Sequence, residues 1–135
     1  MKTVLVTGSS GFIAYHVIEN LINSQFNVIG VDILEPNNPH EGCKYLKKNV
    51  IDLKENDLKG VDYVIHLACN TNIKNTIDNP INSTDNNLGI TIKLLSLSVK
   101  AKIRKLVFPS TASMYGSNTI PWNESMISDP GEPYS

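Results

Sequence analysis

The opening residues constrain the fold more than any other stretch of the chain. "KTVLVTG", Lys2–Gly8, is a short β-branched apolar run that ends in glycine, and "GFIAYHVIENLINS" follows it at once. A run with no polar alternation, stopped by a turn residue, reads as a strand buried on both faces of a parallel sheet. In the segment after it, Ile13, Val17 and Leu21, with Ile18 and Ile22 beside them, recur at helical spacing. Strand, tight glycine turn and helix in direct succession form the first half of a βαβ unit.

The rest of the chain repeats this rhythm. "NVIGVD", Asn27–Asp32, is a second strand. "KYLKKNV", around Leu46–Val50, is a weaker third, followed by a short polar helix or turn before Gly60. "VDYVIHLA", Val61–Ala68, is a strong fourth strand. Asn79–Pro80 then opens a long helical stretch from about Ile81 to Ala101, with Leu88, Thr91, Ile92, Leu95 and Val99 on one face. "RKLVFPS", Arg104–Ser110, is the fifth strand, and beyond Gly116 the residues Pro121, Pro130, Gly131 and Pro133 enforce loop. Alternating strands and helices imply right-handed crossovers and a parallel sheet. The expected fold is α/β: a doubly wound, Rossmann-like sheet of about five strands in the order 3-2-1-4-5, spanning residues 1–135 as one domain.

Bulk properties narrow the function classes. The 135 residues carry a net charge of −1 with both signs scattered, which suggests neither a nucleic-acid footprint nor a basic membrane face. Cys43 and Cys69 are the only cysteines and lack metal-ligand spacing, so two free thiols in a reducing compartment are expected. No segment approaches the ~20 apolar residues of a membrane span, and the N-terminal apolar run is too short for a signal peptide. A soluble, cytoplasmic protein is the expectation.

"TGSSGFIA" sets Gly8, Gly11 and Ala14 between the first strand and the first helix. Gly8 permits a tight turn, Gly11 lets the backbone approach a pyrophosphate, and Ala14 keeps the helix close to the sheet. Free N–H groups and the helix dipole then favour an anion, with Ser9 and Ser10 as additional hydroxyl donors. Asp32 ends the second strand 21 residues after Gly11. An acidic residue at about that distance accepts from the adenosine ribose hydroxyls and repels a 2′-phosphate, which favours NAD over NADP. Ligands in such sheets bind beyond the carboxyl ends of the strands, so Ala68–Cys69 and Ser110–Thr111 also belong to the candidate site.

His66 lies inside an apolar run and reads as a hydrogen-bonded structural histidine rather than a base. His16 reads as structural as well, and His40 as part of a solvent loop. Trp122, Asn123 and Glu124 read as loop packing and capping. No neighbouring base is apparent that would make Cys69 a nucleophile.

Together these motifs resemble the NAD-dependent epimerase/dehydratase family, the extended short-chain dehydrogenase/reductases that act on nucleotide sugars. "VLVTGSSGFIAYHVIENL" is similar to its opening strand–loop–helix, with Ala14 in place of the usual third glycine. "GVDYVIHLA" and "LVFPSTASMYG" resemble its fourth and fifth strands, and "PYS" the start of its Tyr-x-x-x-Lys segment. By that resemblance Gly8, Ser10, Gly11, Phe12 and Ile13 line the pyrophosphate, and Asp32 and Ile33 hold the adenosine ribose. Asn49 and Val50 flank the adenine, with Asn49 where an Asp is more usual. Leu67, Ala68 and Thr71 border the nicotinamide-side ribose, and Asn87 is the family's asparagine on the long helix, although Ile90 replaces a common glycine. Ser110 and Thr111 end the fifth strand, with Thr111 at the catalytic Ser/Thr position and Tyr134 at the catalytic tyrosine.

The resemblance implies NAD as cofactor, a UDP-, GDP- or dTDP-sugar as substrate, and a homodimer of the full-length protein built on the long helix. It also implies Tyr134 as general base, with Thr111 positioning the same sugar oxygen. A tyrosine ordinarily ionises near pH ~10, and the family lowers that value with a lysine four residues on. That lysine falls at position 138, beyond Ser135, so the chain reads as the cofactor half of such an enzyme, itself inactive. Two other readings stay open: an NADP-dependent carbonyl reductase of the same superfamily, and a non-catalytic nucleotide-binding module.

Overall fold

The computed structural model describes residues 1–135. Strands β1 (Thr3–Thr7), β2 (Asn27–Asp32), β3 (Cys43–Lys47), β4 (Tyr63–His66) and β5 (Lys105–Val107) form one sheet, all neighbours parallel, in the order β3-β2-β1-β4-β5. This is the expected topology. Central β1 is buried on both faces through Val4, Leu5 and Val6, as its unbroken apolar run requires.

Each face of the sheet carries its own core. On one, helix α1 (Phe12–Asn23) packs Ala14 and Ile18 against Val4, Val6 and Val28. On the other, Leu5, Val31 and Val64 meet Leu53, which caps the 3-10 turn Val50–Asp52, and Leu58, which ends the 3-10 turn Glu55–Leu58, together with Leu94 and Leu97. The helix is rotated relative to the sequence expectation: Ile13 is exposed, and Val17 and Leu21 lie only half-buried at the margin. Two apolar stripes run along α1, and the sheet receives the one containing Ala14, whose small side chain permits close approach.

Two further elements differ from expectation. The third strand is Cys43–Lys47 rather than Leu46–Val50, because its register pairs Cys43 with Val28 and Lys47 with Asp32. Asn49 and Val50 instead begin a 3-10 turn in which the Asn49 side chain accepts from the Ile51 N–H. A short helix, α2 (Ile73–Asp78), precedes the stretch expected to be helical, and the long helix expected from about Ile81 to Ala101 is three pieces: α3 (Pro80–Thr84), a π-turn (Asp85–Gly89) and α4 (Ile90–Lys100). Pro80 starts α3 at its first turn, where its missing N–H costs nothing. In α4 the residues turned to the core are Leu94, Leu97 and Ser98, whereas Ile92, Leu95 and Val99, with Leu88 from the preceding π-turn, are exposed.

The edge of the sheet remote from the glycine loop is tied by Asp62. Its carboxylate accepts from the Thr3 N–H at 3.0 Å and pairs with Lys2 at 3.0 Å and Arg104 at 3.2 Å. After β5 the chain folds on itself without strands. Gly116 there has φ +51°, and a Cβ placed on it would collide with the Asp129 carbonyl oxygen, so no side chain fits.

Candidate functional site

The glycine loop crosses the carboxyl ends of β1 and β4. Gly8 has φ +69°, and a Cβ placed on it lies 2.7 Å from the Ala68 nitrogen, so both conformation and space demand glycine. Gly11 donates its N–H to the Gly8 carbonyl at 3.0 Å and precedes α1 without any side-chain cap or acidic residue in the first turn. The start of the helix is therefore a bare, positively polarised cradle.

Asp32 stands beside it. One carboxylate oxygen accepts the Ser10 N–H at 3.0 Å, and the other accepts the Leu34 N–H at 2.9 Å. The serine hydroxyls do not serve as donors to the cleft, contrary to expectation. Ser10 Oγ donates to the Leu34 carbonyl at 2.8 Å, and Ser9 is buried, its side chain filling the space above Gly30.

Two adjoining cavities, of about 440 and 590 Å3, share the walls Gly8, Gly11, Leu67 and Cys69. The first is bordered by Asp32, Ile33, Asn49, Val50, Ala68 and Asn87. The second is bordered by Phe12, Ile13, Thr71, Ser110, Thr111 and Tyr134. Every candidate residue from the sequence except Ser9 and Ser10 thus lines one of these two adjoining cavities; Ser9 is buried, and Ser10 is bonded through its N–H to Asp32. Residue types and positions along the cleft suit a dinucleotide laid across the glycine loop: acid and asparagine at one end, hydroxyls and a phenol at the other.

The structure adds Lys48, Asn70, Asn86 and Ile90 to the first cavity. Asn70 follows the β4 tip and could have been found by adjacency to Ala68. Lys48 gave no signal in a lysine-rich edge, and its ammonium is held by Asp57 at 2.8 Å, a contact that pulls the Asp57 carboxyl below the usual carboxylate range. In the second cavity Thr111 Oγ1 accepts from the Ser113 N–H at 3.2 Å and bonds to Ser113 Oγ at 2.9 Å. No lysine or arginine borders that cavity.

His66 is a structural group, as its apolar surroundings suggested. It is 1% exposed, stacked on Phe108 and bonded on both ring nitrogens, to Thr7 Oγ1 at 2.6 Å and Thr91 Oγ1 at 3.0 Å. Burial pushes its pKa down to about 4. His40 is half-buried rather than free in solvent, its Nε2 against the Tyr15 carbonyl at 3.0 Å. Burial raises the Cys69 thiol, which disfavours a nucleophilic thiolate. No group of three or more His, Cys, Asp or Glu residues is arranged to hold a metal.

A parallel sheet in this strand order, with a glycine loop and an acidic tip at its carboxyl edge, defines a Rossmann-type α/β domain. Comparison with known proteins agrees in detail. The model of the NAD dependent epimerase/dehydratase family matches residues 4–135, and the chain belongs to that family. UDP-glucuronate 4-epimerase of Thermodesulfobacterium geofontis is 30% identical over 100% of this chain and 47% of its own length. Among solved structures, UDP-N-acetylglucosamine 4-epimerase from Methanobrevibacter ruminantium, in complex with UDP-N-acetylmuramic acid, superimposes with a TM-score of 0.89 at 34% identity, over 98% of this chain and 46% of that one. UDP-glucose 4-epimerase from Bifidobacterium longum, in complex with NAD+ and UDP, gives a TM-score of 0.86 at 32% identity, over 98% of this chain and 44% of that one. The chain spans about half the length, or less, of the curated relatives it matches. No helix is long and apolar enough to cross a membrane.

Proposed function

We propose that residues 1–135 form the NAD-binding portion of a nucleotide-sugar epimerase or dehydratase, similar to the UDP-glucose 4-epimerases. The observation that carries this reading is the adjacency of the two cavities: the Gly8–Gly11 cradle is a wall of both, with Asp32 bordering one and Thr111 and Tyr134 the other. The cradle fits a pyrophosphate because a side chain at Gly8 collides with backbone and because the helix start carries no cap of its own. Asp32 keeps acceptor capacity on both carboxylate oxygens for ribose hydroxyls, since each takes only one backbone N–H.

Bound NAD supplies a hydride acceptor for the sugar carbon being oxidised. This chain's own residues do the rest. Gly8, Gly11 and the first turn of α1 hold the diphosphate, and Asp32 orients the adenosine end. Thr111 holds a sugar oxygen in line, and Tyr134, as its phenolate, takes the proton of that sugar hydroxyl. A tyrosine needs a neighbouring cation to act as base near neutral pH, and none borders its cavity. The 135-residue chain alone is therefore expected to bind NAD without turning over substrate.

The exposed stripe of Leu88, Ile92, Leu95 and Val99 supports a homodimer seated on α4 in the complete enzyme. Its partners are otherwise small molecules, a UDP-, GDP- or dTDP-sugar among them. Fluorescence titration with NADH and NADPH tests the cofactor, and steady-state assays with sugars on all three nucleotides test turnover. Saturable binding of NADH, weak binding of NADPH and no turnover above background are expected. Preference for NADPH, or no binding of either, sinks the reading of the site.

A further inference from the structure

One directed chain of hydrogen bonds runs from the core of the sheet to the cleft. The Ala68 N–H donates to Thr7 Oγ1 at 3.2 Å, and Thr7 Oγ1 lies 2.6 Å from His66 Nδ1. On the far side of the ring, His66 Nε2 lies 3.0 Å from Thr91 Oγ1, whose hydroxyl donates to the Asn87 carbonyl at 2.7 Å. Since the Thr91 proton is spent on Asn87, its oxygen accepts from the imidazole, which places the proton on Nε2 and leaves Nδ1 to accept from Thr7. Asn87 closes the chain: its Oδ1 accepts the Asn70 N–H at 2.7 Å, and its Nδ2 donates to the Asn70 carbonyl at 3.1 Å.

Asn87 sits within the π-turn Asp85–Gly89, a local departure from α-helix that turns this side chain toward the β4 tip. Thr91 bonds back to the carbonyl of that turn and so joins it to the buried ring. Thr7 and His66 are buried, and no charged side chain bonds to any member. A fully satisfied network in such surroundings is rigid and fixes one arrangement.

We propose that Thr91 and His66 are positioning residues that act through Asn87 to hold the Asn70 segment, and with it the wall between the two halves of the cleft. Their part is to fix the backbone from Ala68 to Thr71 in the shape a dinucleotide meets. The ligand-binding half of this statement rests on the function proposed above, whereas the positioning half is read from the protein alone.

The test separates the two. Backbone amide exchange at Asn70 is followed by NMR in the nucleotide-free 135-residue chain and its Thr91→Val and Thr91→Ser variants, and NADH affinity is titrated for each. Thr91→Val is expected to speed Asn70 exchange about tenfold, the scale of one lost hydrogen bond, while core amides of β1 stay protected and Thr91→Ser restores the slow rate. NADH affinity is expected to fall and recover in parallel. Unchanged Asn70 exchange in Thr91→Val overturns the proposal, and so does faster exchange that the serine variant does not rescue. If the wild-type chain binds no NADH, the cofactor reading fails and the exchange result still decides the positioning role. Should Thr91→Val not fold, the wild-type imidazole nitrogen spectrum decides: a proton on Nε2 upholds the directed chain, and one on Nδ1 overturns it.

Discussion

The carboxylate of Asp32 accepts the backbone N–H of Ser10 at 3.0 Å, so the acidic tip of β2 and the glycine loop form one unit. Asp32→Ala removes both this anchor and the proposed ribose acceptor. NADH affinity is expected to fall roughly ten- to a hundredfold, the range for a hydrogen bond to a charged group. Parallel titrations with NADPH check the specificity: its binding changes less, because the repulsion from Asp32 disappears. Equal losses for both cofactors would remove Asp32 as the discriminator.

Two glycines with similar backbone angles predict different outcomes. Gly8 and Gly60 have φ +69° and +79°, but a Cβ on Gly8 meets the backbone of Leu67 and Ala68, just past β4, whereas one on Gly60 meets nothing within 4 Å. Gly60→Ala is expected to cost about 1 kcal/mol, from the left-handed conformation alone. Gly8→Ala adds an overpacking cost of about 1–3 kcal/mol to that. Urea denaturation of the two variants side by side measures the difference.

Acid stability reports on His66. Its folded pKa of about 4 lies below the unfolded value of about 6.5, so the unfolded state binds a proton first as pH falls. The contribution of the neutral ring is fully present above pH ~6.5 and is lost as pH drops toward 4, by up to about 3 kcal/mol. Denaturation at several pH values, compared with His66→Gln, checks the sign; the variant is expected to show the shallower dependence.

On α4, Leu94 is fully buried while Val99 is 79% exposed. Leu94→Ala is expected to destabilise the chain by about 2–5 kcal/mol. Ile92→Asp and Val99→Asp are expected to leave its stability within about 0.5 kcal/mol, as exposed sites do. For the homodimer proposed above, sedimentation of the full-length protein carrying the aspartates is expected to shift from dimer to monomer; a dimer retained in the variants places the interface elsewhere.

Much of this site was legible because its signals are local. The turn at Gly8 and the acid that ends β2 each depend on a few adjacent residues, whereas the Thr111 and Tyr134 positions came from the family resemblance. What escaped were relations between distant segments. The burial of Leu94 rather than Leu95 depends on which stripe of α4 meets Val64 and Leu5, and periodicity alone cannot choose between two apolar stripes. The frame of β3 was misplaced because edge lysines carry no alternation, and only pairing with β2 sets it.

By itself the chain's sequence determined the order of strands and helices, the need for glycine in the first loop and an acid one strand away. These follow from φ/ψ limits, apolar period and chain connectivity, which act over short spans. Tertiary structure alone decided the rotation of α1, the diversion of the Ser9 and Ser10 hydroxyls away from the cleft, and the direction of the hydrogen bonds through His66. Each of these depends on which buried group lies opposite, and Thr7, His66, Thr91 and Asn87 become neighbours only once β1, β4 and α4 have packed.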